Sequence, residues 1–142
     1  MTDFQIILCT CADREQAERI AHRLVPRFPV EIGGVAELHA AFREESRTRG
    51  CVPEPRNRKF GIELELAACV NIFPGVQSIY RWQGAVESAA ESLILIKTRA
   101  RLSNEVQSTI SSLHSYEVPE FLVLPVSGGS ESYLAWLEAS LR

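Results

Sequence analysis

Between Ala67 and Thr98 the chain is strand-forming sequence broken at only two points, and both breaks are turns. Ala67-Ala-Cys-Val-Asn-Ile72 is an apolar, β-prone run. Phe73-Pro74-Gly75-Val76 then sets Pro and Gly where a type II turn needs them. From Val76 to Trp82 a second strand is expected, with Val76, Ser78, Tyr80 and Trp82 on one face and Gln77, Ile79 and Arg81 on the other. Gln83-Gly84 closes another hairpin. Glu87 to Thr98 reads as a long strand whose Leu93-Ile-Leu-Ile96 segment is apolar on both sides. Strands joined by tight turns run antiparallel, so this region commits the chain to an antiparallel sheet.

The flanking sequence supplies helices. Phe4-Gln-Ile-Ile-Leu8 reads as a buried strand. Asp13 follows as an N-cap, with Gln16 three residues on completing a capping box. Ala17, Ile20, Ala21 and Leu24 recur at helical spacing up to Val25, and Pro26 stops the helix. A second helix is expected from Leu102 to Leu113, on the stripe Val106, Ile110 and Leu113. Phe121-Leu-Val-Leu124 is a last strand, and Ser132 to Leu141 a C-terminal helix with Leu134, Leu137 and Leu141 inward. The order β-α-β-β-β-α-β-α, with helices on one face of an antiparallel sheet, is an α+β, ferredoxin-like sandwich.

The chain has 142 residues, enough for one domain spanning 1–142. Apolar residues are 46% and charged residues 23%, the balance of a globular protein rather than a disordered one. No apolar run approaches the roughly 20 residues of a membrane span. Met1-Thr2-Asp3-Phe4 has no basic n-region, so the expected compartment is the cytoplasm. The net charge of −3 argues against a chain-wide nucleic-acid surface. No C-x-x-C pair, G-x-S-x-G, P-loop, G-x-G-x-x-G or H-E-x-x-H is present, and an enzyme is not expected.

Residues 26–62 differ from the rest. They hold four of the seven prolines, and seven basic residues against five acidic ones. Val35, Leu38, Ala41 and Phe42 suggest one short helix, and Arg47 to Lys59 reads as a loop. The loop's charges carry no interleaved aromatic residue except Phe60, so no stacking platform for nucleic acid is visible. A solvated insert is the expectation.

Several motifs together resemble the CutA divalent-cation tolerance family. They are Ala67-Ala-Cys-Val-Asn-Ile72, Pro74-Gly75, Ser78-Ile-Tyr-Arg-Trp82, Ile96-Lys-Thr98, Leu113-His-Ser-Tyr-Glu-Val-Pro-Glu120, Leu124-Pro-Val126 and Tyr133-Leu-Ala-Trp136. The resemblance covers Asp3–Val25 and Leu66–Leu141. It implies a PII-like relative of the ferredoxin fold, a homotrimer built through edge strands, and binding of copper or other divalent metals. Two departures stand out. Family members join the first helix to the next strand directly, whereas here residues 26–62 form an insertion. The family's His-Pro-Tyr motif is His114-Ser115-Tyr116, and the second histidine of some members is replaced by Leu113.

Cys9 and Cys11 are two apart on the first strand, so both thiols face the same way. Thiolates favour Cu(I) and Zn, and imidazole suits Cu, Zn and Ni. The resemblance places the metal role on Cys9, then Cys11, with His114, and Glu120, six residues after His114, is expected to add an oxygen ligand. The plainer reading packs both cysteines under the first helix and lets His114 cap the second. Cys69 is expected in the core, and Cys51 on the basic loop as a surface thiol. Tyr80, Trp82, Tyr116 and Trp136 are expected at the trimer interface, where large aromatics are enriched. Lys97, Tyr116 and Glu117 lack the nucleophile and oxyanion cradle of an enzyme and are expected to line grooves between subunits. The leading expectation is a trimeric copper or divalent-cation tolerance protein. The alternative is a PII-like sensing or scaffold trimer whose inter-subunit clefts bind a small molecule or a protein.

Overall fold

The computed structural model describes residues 2–25 and 64–142, which belong to one compact unit. The expected inserted helix, the basic loop and Cys51 lie outside the described residues. The elements are β1 (Phe4–Cys11), α1 (Arg14–Leu24), β2 (Cys69–Trp82), β3 (Ala85–Arg99), a 3-10 turn (Ala100–Leu102), α2 (Ser103–Leu113), β4 (Leu122–Pro125) and α3 (Glu131–Ala139). The four strands form one antiparallel sheet in the order β2-β3-β1-β4. The expected α+β sandwich is therefore what the chain builds.

α1 starts where its cap chemistry dictates. Asp13 is extended, and its carboxylate accepts from the backbone N–H of Gln16 at 2.7 Å. Gln16 reaches back and accepts from the N–H of Ala12 at 3.1 Å, which satisfies a second donor at the helix start. The helix buries Ala17, Ile20 and Leu24 against Ile7, Cys9, Cys11, Ile94 and Ile96 of the sheet and Val106 and Ile110 of α2. The sheet residues in this core alternate along β1 and β3, as one covered face requires. Thr98, fully buried on the same face, donates its hydroxyl to the carbonyl of Leu66 at 2.6 Å. That bond ties the chain entering β2 to the middle of the sheet.

Two details differ from the sequence reading. Pro74-Gly75 does not separate two strands. β2 runs through it, with Phe73 opposite Leu93 and Val76 opposite Glu91, so three residues of β2 span two steps of β3. This is a bulge, with Gly75 at φ 74°, a conformation that favours glycine. Pro74 is tolerated because β2 is an edge strand. The extra residue reverses the parity of everything after it. Tyr80 and Trp82 thus share a face with Glu87 and Ala85, whereas Ile79 and Arg81 share the other with Ser88 and Val86. The second difference is Cys69. It is half-buried rather than in the core, because Ala68 takes the inward position and alternation turns the next side chain away.

β2 and β3 form a long hairpin arm, and at its tip Gln83 and Gly84 both have positive φ, 46° and 85°, so they form the two-residue turn whose twist suits the strands. At the other end of the chain α3 is held by Leu137 and Leu141, both buried. It is also held by Arg99 to Glu138 at 2.7 Å and Lys97 to the Tyr133 hydroxyl at 3.0 Å.

Candidate metal centre and adjoining cleft

β1 ends in Cys9-Thr10-Cys11, with both cysteines buried. Strand alternation puts their sulfurs on the same side, beneath α1. The C-terminus of α2 brings His114 to the same place. Its backbone N–H closes the helix on Ile110 at 2.9 Å, so His114 does cap α2 as the plainer reading expected. Its ring does more. Nε2 lies 2.8 Å from the Thr10 carbonyl, and Nδ1 accepts from the N–H of Tyr116 at 3.1 Å. An N–H donor facing Nδ1 leaves the ring proton on Nε2, donating to Thr10. One ligand atom each from Cys9, Cys11 and His114 lies within 4.8 Å of the others.

The two thiols do not ionise independently. Cys9 is pushed well above the usual thiol range, first by its hydrogen bond to the Cys11 sulfur, then by burial and by the negative charges of Cys11, Glu120 and Glu91. Cys11 is lowered by that same bond. The two protons therefore leave in two separated steps that belong to the pair rather than to either thiol. A cation bound by both sulfurs would take the place of both protons.

Glu120 does not join the group of three. It lines a cleft of about 580 Å³ beside it, with Thr10, Ser78, Tyr80, Trp82, Glu87, Glu91, Ser115, Tyr116 and Glu117. Tyr116 donates to Glu91 at 2.7 Å and Tyr80 to Glu87 at 3.2 Å. Of the four residues expected at a subunit interface, Tyr80, Trp82 and Tyr116 face this cleft, and Trp136 packs on Tyr133 with ring centroids 5.3 Å apart. Lys97 lies apart from Tyr116 and Glu117, against Tyr133. The sequence reading missed Gln16 as a site residue. Its amide donates to the Ser115 hydroxyl at 2.9 Å and so anchors the segment that carries His114. The capping box was the legible sign of Gln16, but its third bond spans 99 positions.

The model of the CutA1 divalent ion tolerance protein family matches residues 58–140. The chain belongs to the CutA1 family. Protein CutA, chloroplastic, of Arabidopsis thaliana is 47% identical over 81 residues, which are 57% of this chain and 44% of that protein. The divalent-cation tolerance protein CutA of Pectobacterium atrosepticum is 46% identical over 81 residues, 57% of this chain and 74% of that one. The chain thus spans under half of the plant relative's length. Among solved structures, the periplasmic divalent cation tolerance protein CutA of Archaeoglobus fulgidus superimposes with a TM-score of 0.70 at 28% identity. That superposition covers 98% of this chain and 99% of that one. The family match begins after β1, so Cys9 and Cys11 fall outside it.

These relatives correct one expectation. The cytoplasm was inferred from composition and the first residues, but one relative is chloroplastic and another periplasmic. A folded domain's composition does not encode its address, so the cytoplasmic assignment does not stand. No helix among the described residues is long and apolar enough to cross a membrane.

Proposed function

We propose that the chain acts in divalent-cation tolerance as a homotrimer that binds copper or a similar soft metal through Cys9, Cys11 and His114. The observation that carries this reading is the convergence of two thiols and one imidazole within 4.8 Å. The donor set is soft, and three such ligands suit Cu(I) and Zn better than Mg or Ca. Both thiols must release their protons, and the His114 ring must give up its bond to Thr10 or to Tyr116 to offer a lone pair. Metal uptake is therefore coupled to the position of the 114–116 segment. The names of the Pectobacterium and Archaeoglobus relatives support the tolerance role.

The trimer rests on surface that a lone chain leaves open. β4 is exposed at Leu122, Val123 and Leu124, and the arm is exposed at Ile79 and Val86 as well as at Tyr80 and Trp82. β2 and β4 are both sheet edges. Edges bearing apolar side chains associate unless they are blocked. In this proposal Tyr80, Trp82, Tyr116 and Trp136 lie at or beside the contacts between copies.

Native mass spectrometry during an anaerobic copper titration tests both parts. The expected result is a trimer that takes up one tight copper per chain and loses it in a variant combining Cys9→Ser with His114→Ala. Unchanged uptake in that variant overturns the ligand assignment, and a monomer overturns the assembly.

A further inference from the structure

We propose that Gln16 is the positioning residue of the thiol–imidazole group, its one side-chain amide clamping the strand end that carries the sulfurs to the helix end that carries His114. This role presupposes the ligand assignment proposed above and names what holds those ligands in place. Gln16 stands in the first turn of α1 and is only 3% exposed. Its Oε1 accepts from the N–H of Ala12 at 3.1 Å, and Ala12 directly follows Cys11. Its Nε2 donates to the Ser115 hydroxyl at 2.9 Å, and Ser115 directly follows His114. One planar amide thus bridges the residues next to two of the three candidate ligands. Its orientation is fixed by chemistry. A backbone N–H can only donate, so the amide oxygen faces Ala12 and the nitrogen faces Ser115.

Helix capping does not account for both bonds. A capping box needs only an acceptor at this position, and glutamate serves it as well as glutamine. The amide nitrogen is surplus to the cap, and it is spent on Ser115. What it holds has no other backbone frame. The sulfurs sit on β1, which is laddered to β3 and β4 on its two sides. After His114 the chain leaves α2, and residues 115–121 belong to no helix or strand. The ring of His114 is fixed by the Thr10 carbonyl at 2.8 Å and by the N–H of Tyr116 at 3.1 Å. That second donor belongs to the residue after Ser115, so anchoring Ser115 keeps it in register with Nδ1. A buried side chain that orients ligands without touching the metal raises affinity by sparing the cost of ordering them.

The test pairs anaerobic copper(I) titration of the full chain, against bicinchoninate as competitor, with NMR of the His114 imidazole. Ser115→Ala removes the far end of the clamp and leaves the cap bond to Ala12 intact. It should weaken copper binding by about 10- to 100-fold and abolish the slowly exchanging Nε2–H of His114. Ser115→Thr keeps a hydroxyl and should restore both. Gln16→Met should lower copper affinity in the same way, and the double variant should bind no more weakly than Gln16→Met, because both changes delete one bond. Thr98→Val, a buried change outside the group, should lower stability with copper affinity and ring signal unchanged. Unchanged copper affinity in Ser115→Ala overturns the proposal. So does an equal loss in Thr98→Val, which would reduce Gln16 to a structural residue. A wild-type chain that takes up no copper overturns the ligand assignment instead, and the ring signal then decides the clamp. Its loss in Ser115→Ala with return in Ser115→Thr upholds the role of Gln16, and its persistence removes that role.

Discussion

Tyr116 donates its hydroxyl to Glu91 at 2.7 Å, and Glu91 is only 6% exposed although it carries a carboxylate. The bond joins the segment after α2 to the long arm strand. Removing the donor leaves a buried carboxylate short of a partner, which costs more than the bond itself contributes. Tyr116→Phe is therefore expected to destabilise the protein by about 1–3 kcal/mol. Urea denaturation measures it. A shift near zero would mean that water replaces the hydroxyl.

Asp13 holds the first turn of α1 through the Gln16 N–H. Asp13→Ala should cost about 0.5–2 kcal/mol, while Asp13→Ser should retain most of the stability because serine offers the same acceptor. Comparing the thermal midpoints of the two variants separates the cap from a general charge effect.

Thr98 is fully buried, and its hydroxyl satisfies the Leu66 carbonyl. Thr98→Val keeps the shape and deletes the donor. The expected loss is about 1–3 kcal/mol from the stranded carbonyl. Equilibrium unfolding reads it, and hydrogen exchange at the N–H of Ala68, which donates to Lys97, should report local loosening there.

Tyr80 is held above the usual phenol range by partial desolvation, and then by the Glu87 carboxylate to which it donates. A raised native value means that the native state keeps its proton where the unfolded chain has begun to lose it. The contribution is thus complete below about pH 10, the unfolded value, and is lost as pH rises through the native value. In the wild type, phenolate absorbance should show two tyrosines titrating late, Tyr80 and Tyr116, the latter raised by desolvation and by Glu91, and Tyr80→Phe should remove one of the two steps. Glu87→Gln should move that step downward. If the step stays in place, Glu87 is not a cause.

Local chemistry was readable in order along the chain. The Asp13 cap, the Gln83-Gly84 turn and the inward stripes of α1 and α2 each depend on residues a few positions apart, so short patterns disclosed them. Pro74-Gly75 was read as a turn because those residue types serve turns and bulges alike. Only pairing with β3 distinguishes the two, and a strand partner is not a local property. The same gap hid the direction of Tyr80 and Trp82. Their alternation was visible, but the face they share was decided by one unpaired residue in the ladder.

For the candidate centre the division is similar. That Cys9 and Cys11 point to one side follows from the two-residue period of a strand, and the sequence alone determines it. That they lie under α1 beside His114 does not, because His114 reaches Thr10 across 104 positions. The segment is placed there by α2 packing on α1 and by Gln16 holding Ser115. Glu120, next in the motif, follows the backbone into the cleft instead of turning to the sulfurs. Periodicity and turn chemistry are short-range, so the sequence determined the elements and their inward faces. Which side chains meet is set by burial of the shared core, and only the tertiary structure decided that.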